Sequence, residues 1–385
     1  MNRRLAILTP VFPPARGGIE TLTHRLALAL PGHERFVVAG AAPGTPPPLP
    51  FPVRRVANEP PGGRKATAQL NAAALTELVR RRPAVVLSMH VRAGLAACAY
   101  AATTGVPFVQ YVHAKEVLEF PATAEFVLSR AAGVIGVSEY SRELAEAAGA
   151  AAERCVVVPN GVDAAPPRGT PRAARPTIVT VSRLHDRYKG HDVMLQALPR
   201  VLAAVPETQW IVVGDGDLRL ELEQSACDLG VDAAVTFAGA VSDAERDRLL
   251  EAAWVFAMPS RMPEGRRAGE GFGIVFLEAS ASGLPVVAGW VPGVVDAVAD
   301  GESGVLVDPT DPIAVGDALI GLLSDPAAAE ALGRSGRLRA AGFSWEEIGL
   351  RVGEVLDGVS RGRGCGTRSR NHVALARELS VGPPR

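Results

Sequence analysis

Short, continuously apolar runs rich in Val, Ile and Leu recur along almost the whole chain, separated by stretches with helical periodicity or a high alanine content. A run without polar alternation is a strand covered on both faces, and regular alternation of such strands with helices builds parallel α/β sheets. The first half holds runs at 5–8, 36–39, 84–89, 107–113, 134–138 and 155–159. The second holds them at 177–181, 210–213, 235–238, 254–258, 285–288 and 304–307. Between the two sets, residues 163–176 have no periodicity and contain four prolines, which reads as a linker. The expectation is an α/β chain of two doubly wound, Rossmann-like domains, residues 1–165 and 166–345. A helix at 346–360 can cross back to the first domain, and the Arg- and Gly-rich residues 361–385 are expected to form a mobile tail. In such a pair the ligand site is the cleft that the carboxyl ends of both sets of strands face.

The 385 residues suffice for two such domains, and 48% hydrophobic against 21% charged residues excludes a disordered chain. A net charge of −1 selects neither nucleic acid nor a membrane as partner. The balance is uneven, however: +5 over residues 1–165 and −6 over the remainder. The four cysteines are scattered without paired spacing, which argues against a zinc or disulfide framework and fits a reducing cytoplasm. Four apolar residues precede Thr9 and Pro10, too few for the core of a signal peptide. The uncharged stretch at 93–112 is broken by Gly94, Gly105 and Pro107 and reads as a buried helix running into a strand rather than a membrane span.

Several segments can carry chemistry. The first strand is followed by Gly17-Gly18-Ile19-Glu20 at the start of a helix, where paired glycines let backbone N–H groups approach an anion at the positive end of the helix dipole; a tight turn is the plain alternative. Neither this turn nor Gly214-Asp215-Gly216-Asp217-Leu218-Arg219 completes the dinucleotide fingerprint, because Arg219 replaces the third glycine of the latter. A nicotinamide-dependent oxidoreductase is therefore the weaker reading. The run ending at 181 leads to Ser182-Arg183 and then Lys189-Gly190, placing two cations where they can neutralise a diphosphate. Only three of the 40 basic residues are lysine, and one of them stands directly before Gly190.

The most specific segment is Glu270-Gly271-Phe272-Gly273-Ile274-Val275-Phe276-Leu277-Glu278, two carboxylates bracketing a glycine loop that opens a helix. The N–H groups near Gly273 can bind phosphate oxygens, and Glu270 can accept hydrogen bonds from sugar hydroxyls. Glu278 falls within an otherwise apolar helix and needs donors, either ribose hydroxyls or a neighbouring Arg. His113 closes the run at 107–113 and faces the expected cleft, with a structural role as the alternative. His24 and His90 are read as structural.

These motifs occur in a set order: Gly17-Gly18-Ile19-Glu20, Asn160-Gly161-Val162-Asp163, Ser182-Arg183 with Lys189-Gly190, Gly214-Asp215-Gly216, Phe237-Ala238-Gly239, Pro259-Ser260, the paired-Glu loop and Gly283-Leu284-Pro285. Together they resemble glycosyltransferase family 4, retaining nucleotide-sugar enzymes of the GT-B fold, over roughly residues 5–358. The resemblance implies that Arg183 and Lys189 bind the donor diphosphate and that Gly18 places its amide near the distal phosphate. It implies that Glu270 and the backbone of residues 271–274 hold the transferred sugar, Glu278 the ribose, and His113 the region of the reacting carbon. The base would lie against residues 237–241, around Gly239. It further implies a UDP- or GDP-sugar donor (UDP first) and no cofactor or metal. Two departures stand out: Glu264-Gly265 offers a competing register for the loop motif, and Ala114 follows His113 where family members often carry Asp or Gly.

For the acceptor, the basic first domain and the run Arg80-Arg81-Arg82 suit an anionic group or lipid surface. With no long basic amphipathic helix carrying exposed aromatics, the first expectation is a small soluble cyclitol or amino sugar, as in bacterial natural-product pathways. A phosphatidylinositol-type lipid is the second. A non-catalytic sugar-binding protein would leave Arg183, Lys189 and the glycine loops unexplained.

Overall fold

The computed structural model describes residues 4–15, 17–56, 63–164, 169–263, 265 and 269–362. Among them, thirteen strands form two all-parallel sheets. The first contains β1 (Arg4–Thr9), β2 (Glu34–Gly40), β3 (Val53–Val56), β4 (Val85–Ser88), β5 (Phe108–Val112), β6 (Gly133–Gly136) and β7 (Cys155–Val157), in the order β3-β2-β1-β4-β5-β6-β7. The second contains β8 (Thr177–Val181), β9 (Gln209–Val213), β10 (Val235–Gly239), β11 (Val255–Met258), β12 (Val286–Gly289) and β13 (Gly304–Val307), in the order β10-β9-β8-β11-β12-β13. The order reverses between β1 and β4 and again between β8 and β11, and such switch points open a crevice at the carboxyl ends of the strands.

Helices join the strands in the first lobe: α1 (Gly18–Ala29), α2 (Arg64–Arg81), α3 (Gly94–Thr104), α4 (Lys115–Glu119), α5 (Pro121–Leu128) and α6 (Glu139–Ala147). The second lobe adds α7 (His191–Ala204), α8 (Arg219–Asp228), α9 (Asp243–Ala252), α10 (Ile274–Ala281), α11 (Val294–Ala297), α12 (Pro312–Ser324), α13 (Pro326–Ala341) and α14 (Trp345–Ser360). Among the described residues, no single helix is long and apolar enough to cross a membrane.

Every apolar run read from the sequence coincides with a strand to within two residues at either end, and the reason is visible in β1. Leu5 and Ile7 enter one buried cluster while Ala6 and Leu8 enter another, so both sheet faces are covered. The unexpected strand is β3, Val-Arg-Arg-Val. It pairs only with β2 at the sheet edge, where one flank meets solvent and a continuous apolar run is not required.

The cluster holding Leu5 and Ile7 continues into the second lobe through Val179, Phe256 and Phe276, and it also takes in Trp345, Ile348, Val352 and Leu356 of α14. That helix lies against α1: a Cβ on Gly349 would stand 2.6 Å from the Ala29 carbonyl oxygen. Arg351 Nη2 donates to the Val157 carbonyl at 3.0 Å, and the Val162 N–H donates to the Phe343 carbonyl at 2.8 Å. Of the linker, residues 169–176 carry no helix or strand and are held to the second lobe, where Trp254 Nε1 donates to the Ala173 carbonyl at 2.9 Å. Beyond Gly362, the tail expected at 361–385 lies outside the described residues.

Candidate active site

The segments singled out in the sequence all leave the carboxyl ends of strands: residues 10–18 after β1, His113 after β5, 182–190 after β8, Gly214 after β9, and 259–273 after β11. The loop after β8 closes with a short 3-10 turn, Arg187–Lys189, and then Gly190, whose φ of +81° favours glycine. A Cβ on Gly190 would run into the Pro259 carbonyl where β11 exits. Lys189 is thereby fixed beside the loop that carries Glu270.

Lys189 and Glu270 form an ion pair, with side chains only 14% and 13% exposed. Burial works against the charge on Lys189, but Glu270, Tyr188 and Asp186 outweigh it and hold its pKa above the ordinary lysine value. The Tyr188 phenol lies in the same cluster, 5.2 Å from ring centre to Lys189 Nζ, and burial pushes its pKa up to about 12. Next along the chain, His191 is buried, with Nε2 2.9 Å from Ser182 Oγ; burial and Lys189 lower its pKa to about 4, so it is neutral at pH 7.

The glycine loop is clamped from three sides. Ser138 Oγ, in the first lobe, donates to the Gly271 carbonyl at 2.7 Å. A Cβ on Gly271 would strike the His113 carbonyl, and one on Gly293 the carbonyl of Glu270. Gly273 then adopts φ +83° as the N-cap of α10, and no side chain caps that helix. The start of α1 is likewise uncapped by a side chain, and a Cβ on Gly18 would lie 3.8 Å from Ile274 Cδ1. Two helix N-termini without side-chain caps, one from each lobe, thus approach each other at Gly18 and Ile274, an arrangement suited to a diphosphate. Lys115 crosses between the lobes as well, 3.5 Å from Asp186.

His113 Nε2 lies 2.8 Å from the Met89 carbonyl, which only accepts, so this nitrogen carries the proton and Nδ1 remains available. The ring stacks on Tyr111, and the His113 N–H donates to Glu116 Oε1 at 2.7 Å. Ala114 has φ 90°, a conformation natural to glycine, which accounts for the glycine that family members often place there. Glu278 is three-quarters buried, and burial raises its pKa against the opposing Arg246 guanidinium 3.8 Å away. The alternative of an Arg partner is thus realised, at a distance too long for a hydrogen bond.

Other expected residues sit differently. Arg183 is exposed and has no ion pair among the described residues. Phe272 is only 1% exposed and packs against Phe343, so its backbone, not its ring, faces the loop. Beside Gly17 lies the Glu20 carboxylate, 2.5 Å from where a Cβ would be, leaving Gly18 as the open glycine of that turn. A Cβ on Gly214 would collide with the Ser182 carbonyl, and the Gly214 N–H donates to the Gly239 carbonyl at 2.9 Å. Backbone crowding thus explains Gly214 directly.

The run Arg80-Arg81-Arg82 cannot serve an acceptor in the cleft. Arg80 and Arg81 pair with Glu77, and Arg81 lies over Phe36 near the opposite, amino end of the sheet. Asp217 is 92% exposed and faces His185. Among the described residues no three His, Cys, Asp or Glu side chains converge as a metal site; Glu264, the competing register, lies outside them. Tyr188, Ser138, Arg246 and Gly293 were not anticipated, and only Gly293 left a trace, in Val291-Pro292-Gly293.

Two family models match the chain in succession, "Glycosyltransferase Family 4" over residues 16–166 and "Glycosyl transferases group 1" over residues 164–339. The chain belongs to the family 4 glycosyltransferases. Its two facing lobes are the GT-B fold. Sucrose-phosphate synthase from Thermosynechococcus elongatus superposes with a TM-score of 0.79 at 22% identity, covering 94% of this chain and 100% of that one. Anabaena HepE in complex with UDP and glucose superposes with a TM-score of 0.74 at 21% identity, over 92% and 100%. The GDP-mannose-dependent alpha-(1-6)-phosphatidylinositol monomannoside mannosyltransferase of Mycolicibacterium smegmatis is 42% identical over 190 residues, 49% of this chain and 50% of the relative. The D-inositol 3-phosphate glycosyltransferase of Corynebacterium urealyticum is 39% identical over 194 residues, 49% and 44%. The chain thus matches about half the length of these curated relatives. This family membership displaces the oxidoreductase reading.

Proposed function

We propose that the chain is a retaining glycosyltransferase that moves a sugar from a nucleoside-diphosphate sugar to a hydroxyl of an inositol-containing acceptor, a phosphatidylinositol-type lipid first. The observation that carries the reading is the buried Lys189–Glu270 pair at the entry to α10, whose N-terminus carries no side-chain cap and approaches the likewise uncapped start of α1 from the other lobe. Breaking a sugar–phosphate bond develops negative charge on the leaving diphosphate, and preorganised cations and amides lower the barrier by meeting it. In this assignment the second lobe holds the donor and the first the acceptor. Lys189 and Arg183 take the diphosphate, with Lys189 exchanging Glu270 for a phosphate oxygen. The Gly18 amide takes the distal phosphate. Glu270 and the 271–274 backbone hold the sugar, Glu278 the ribose, and His113 lies by the reacting carbon. No enzymic nucleophile is assigned, and the leaving phosphate assists deprotonation of the acceptor on the front face.

The lipid acceptor replaces the soluble cyclitol as first choice because the 42%-identical relative is named for a phosphatidylinositol mannoside. A soluble inositol phosphate stays as the second reading on the strength of the D-inositol 3-phosphate relative. The test is a thermal-shift panel of UDP- and GDP-sugars, GDP-mannose included, followed by mass spectrometry of products with phosphatidylinositol vesicles and with soluble inositol phosphates. Stabilisation by a nucleotide sugar and a glycosylated inositol product are expected; no shift and no turnover across the panel would end the reading.

A further inference from the structure

Among the described arginines of the first lobe, one has a buried guanidinium nitrogen without an acceptor. Arg25 pairs with Asp163 at 2.5 Å, Arg35 donates to the Ala27 carbonyl at 2.5 Å, and Arg92 donates to Thr67 Oγ1 at 2.8 Å and the Gly63 carbonyl at 3.1 Å. Arg55, like Arg35 over Phe51 and Arg92 over Phe120, lies over an aromatic ring, its guanidinium 5.7 Å from the centre of Phe12, but its buried Nη1 has no acceptor among the described residues. Arg55 is the third residue of β3, two strands from β1 on the sheet and close to its carboxyl rim, paired in register with Ala39. Phe12 belongs to the loop between β1 and Gly18, is fully buried, and meets the His24 ring edge-on at 5.9 Å on another side. The aromatic ring thus fixes a cation next to the loop that carries the Gly18 amide.

A guanidinium nitrogen shut away from water without an acceptor is costly, and truncating the residue would be cheaper unless an anion completes the site. The planar fork of Arg, held beside an aromatic ring, matches the geometry of a phosphate rather than of a neutral hydroxyl. We propose that Arg55 is the acceptor-recognition residue of the first lobe, and that it binds the phosphate of a phosphorylated cyclitol. This rests on the reading of the chain as a glycosyltransferase with an inositol-containing acceptor. The phosphate has two sources, a lipid phosphodiester or a free inositol phosphate, and both offer the same oxygens to Arg55.

The test compares wild type with Arg55→Met and Arg55→Lys. Isothermal calorimetry with myo-inositol 1-phosphate reads the site without turnover; binding should weaken about 10–100-fold in Arg55→Met, the span of a charge-assisted hydrogen bond, and recover partly in Arg55→Lys. Kinetics at saturating donor then use three acceptors: myo-inositol 1-phosphate, phosphatidylcholine vesicles doped with phosphatidylinositol, and unphosphorylated myo-inositol. The expected signature is a raised KM for whichever phosphorylated acceptor is the substrate, little change in kcat, and lost discrimination against plain inositol. The acceptor arm that shows the effect identifies the source. Melting temperature controls for folding and should stay level or rise in Arg55→Met, since an unpaired buried nitrogen is removed. Equal binding and equal KM in Arg55→Met, or a falling melting temperature with weakened donor binding, would overturn the assignment. Absence of any inositol product from wild type fails the functional reading instead, and calorimetry still decides on Arg55.

Discussion

The Lys189–Glu270 pair sets two demands on each residue. Each neutralises a charge buried to nearly nine-tenths, so removing either partner strands the other, at a cost of about 3–5 kcal/mol. In the proposed assignment both face the group whose charge changes during reaction. Lys189→Ala and Glu270→Ala should therefore each lower turnover by roughly two or more orders of magnitude while also lowering the melting temperature. The double variant should recover stability relative to either single change without recovering rate. Asp217→Ala, altering a side chain 92% exposed, should leave kcat/KM near wild type. Near-normal turnover in Lys189→Ala, measured as sugar-nucleotide consumption, would put the chemistry elsewhere. At this scale the sequence was legible where chemistry and crowding coincide: Gly190 must be glycine because Pro259 presses on it, and that same contact aims Lys189. Tyr188 and Ser138 left no such mark, because a phenol or hydroxyl becomes a site residue only through what folds against it.

Among the elements, one polar contact between the lobes carries a titrating group. The Asp296 carboxylate on α11 accepts from the Glu139 N–H at the start of α6 at 3.4 Å. Burial pushes its pKa up to about 6, the Glu139 N–H opposing and the Glu139 carboxylate adding to the rise. An acid whose folded pKa lies above its unfolded one binds more protons in the native state, so stability falls as pH rises from about 4 to 6. At pH 7 the charged form costs on the order of 3 kcal/mol. Asn keeps the carbonyl acceptor and removes the titration. Asp296→Asn should raise the melting temperature at pH 7 and abolish the Asp296 contribution between pH 4 and 6, which calorimetry across that range would measure. His191, lowered to about 4, acts with the opposite sign, since stability is lost as pH falls below 6.5; the variant's pH profile should therefore be steeper on the acid side than that of wild type. The strands were readable because burial on both faces favours continuous apolar runs. The edge strand β3 and the short α11 were not, since neither needs a continuous apolar run.

Across the whole molecule, the two lobes are not independent, because the chain finishes the first lobe last. Helix α14 follows α13 of the second lobe yet packs on α1, with Ile348, Val352 and Leu356 fully buried and Trp345 8% exposed. Complete burial of such side chains is worth about 1.5–3 kcal/mol each, comparable in sum with the stability of a typical domain. The first lobe thus lacks part of its core until residues 345–360 are in place. From sequence, a terminal helix that can cross back was legible, but its docking face was not: Gly349 and Gly161 look like weak helix and turn residues until Ala29 and Trp345 are seen against them. A fragment ending at residue 164 should accordingly aggregate or unfold at low denaturant, while the same fragment supplied with a peptide spanning 343–362 should regain a cooperative transition. Circular dichroism against urea, with and without the peptide, measures the difference. A fragment as stable alone as with the peptide would mean that α14 only decorates the first lobe, and that the lobes are coupled through the cleft contacts alone.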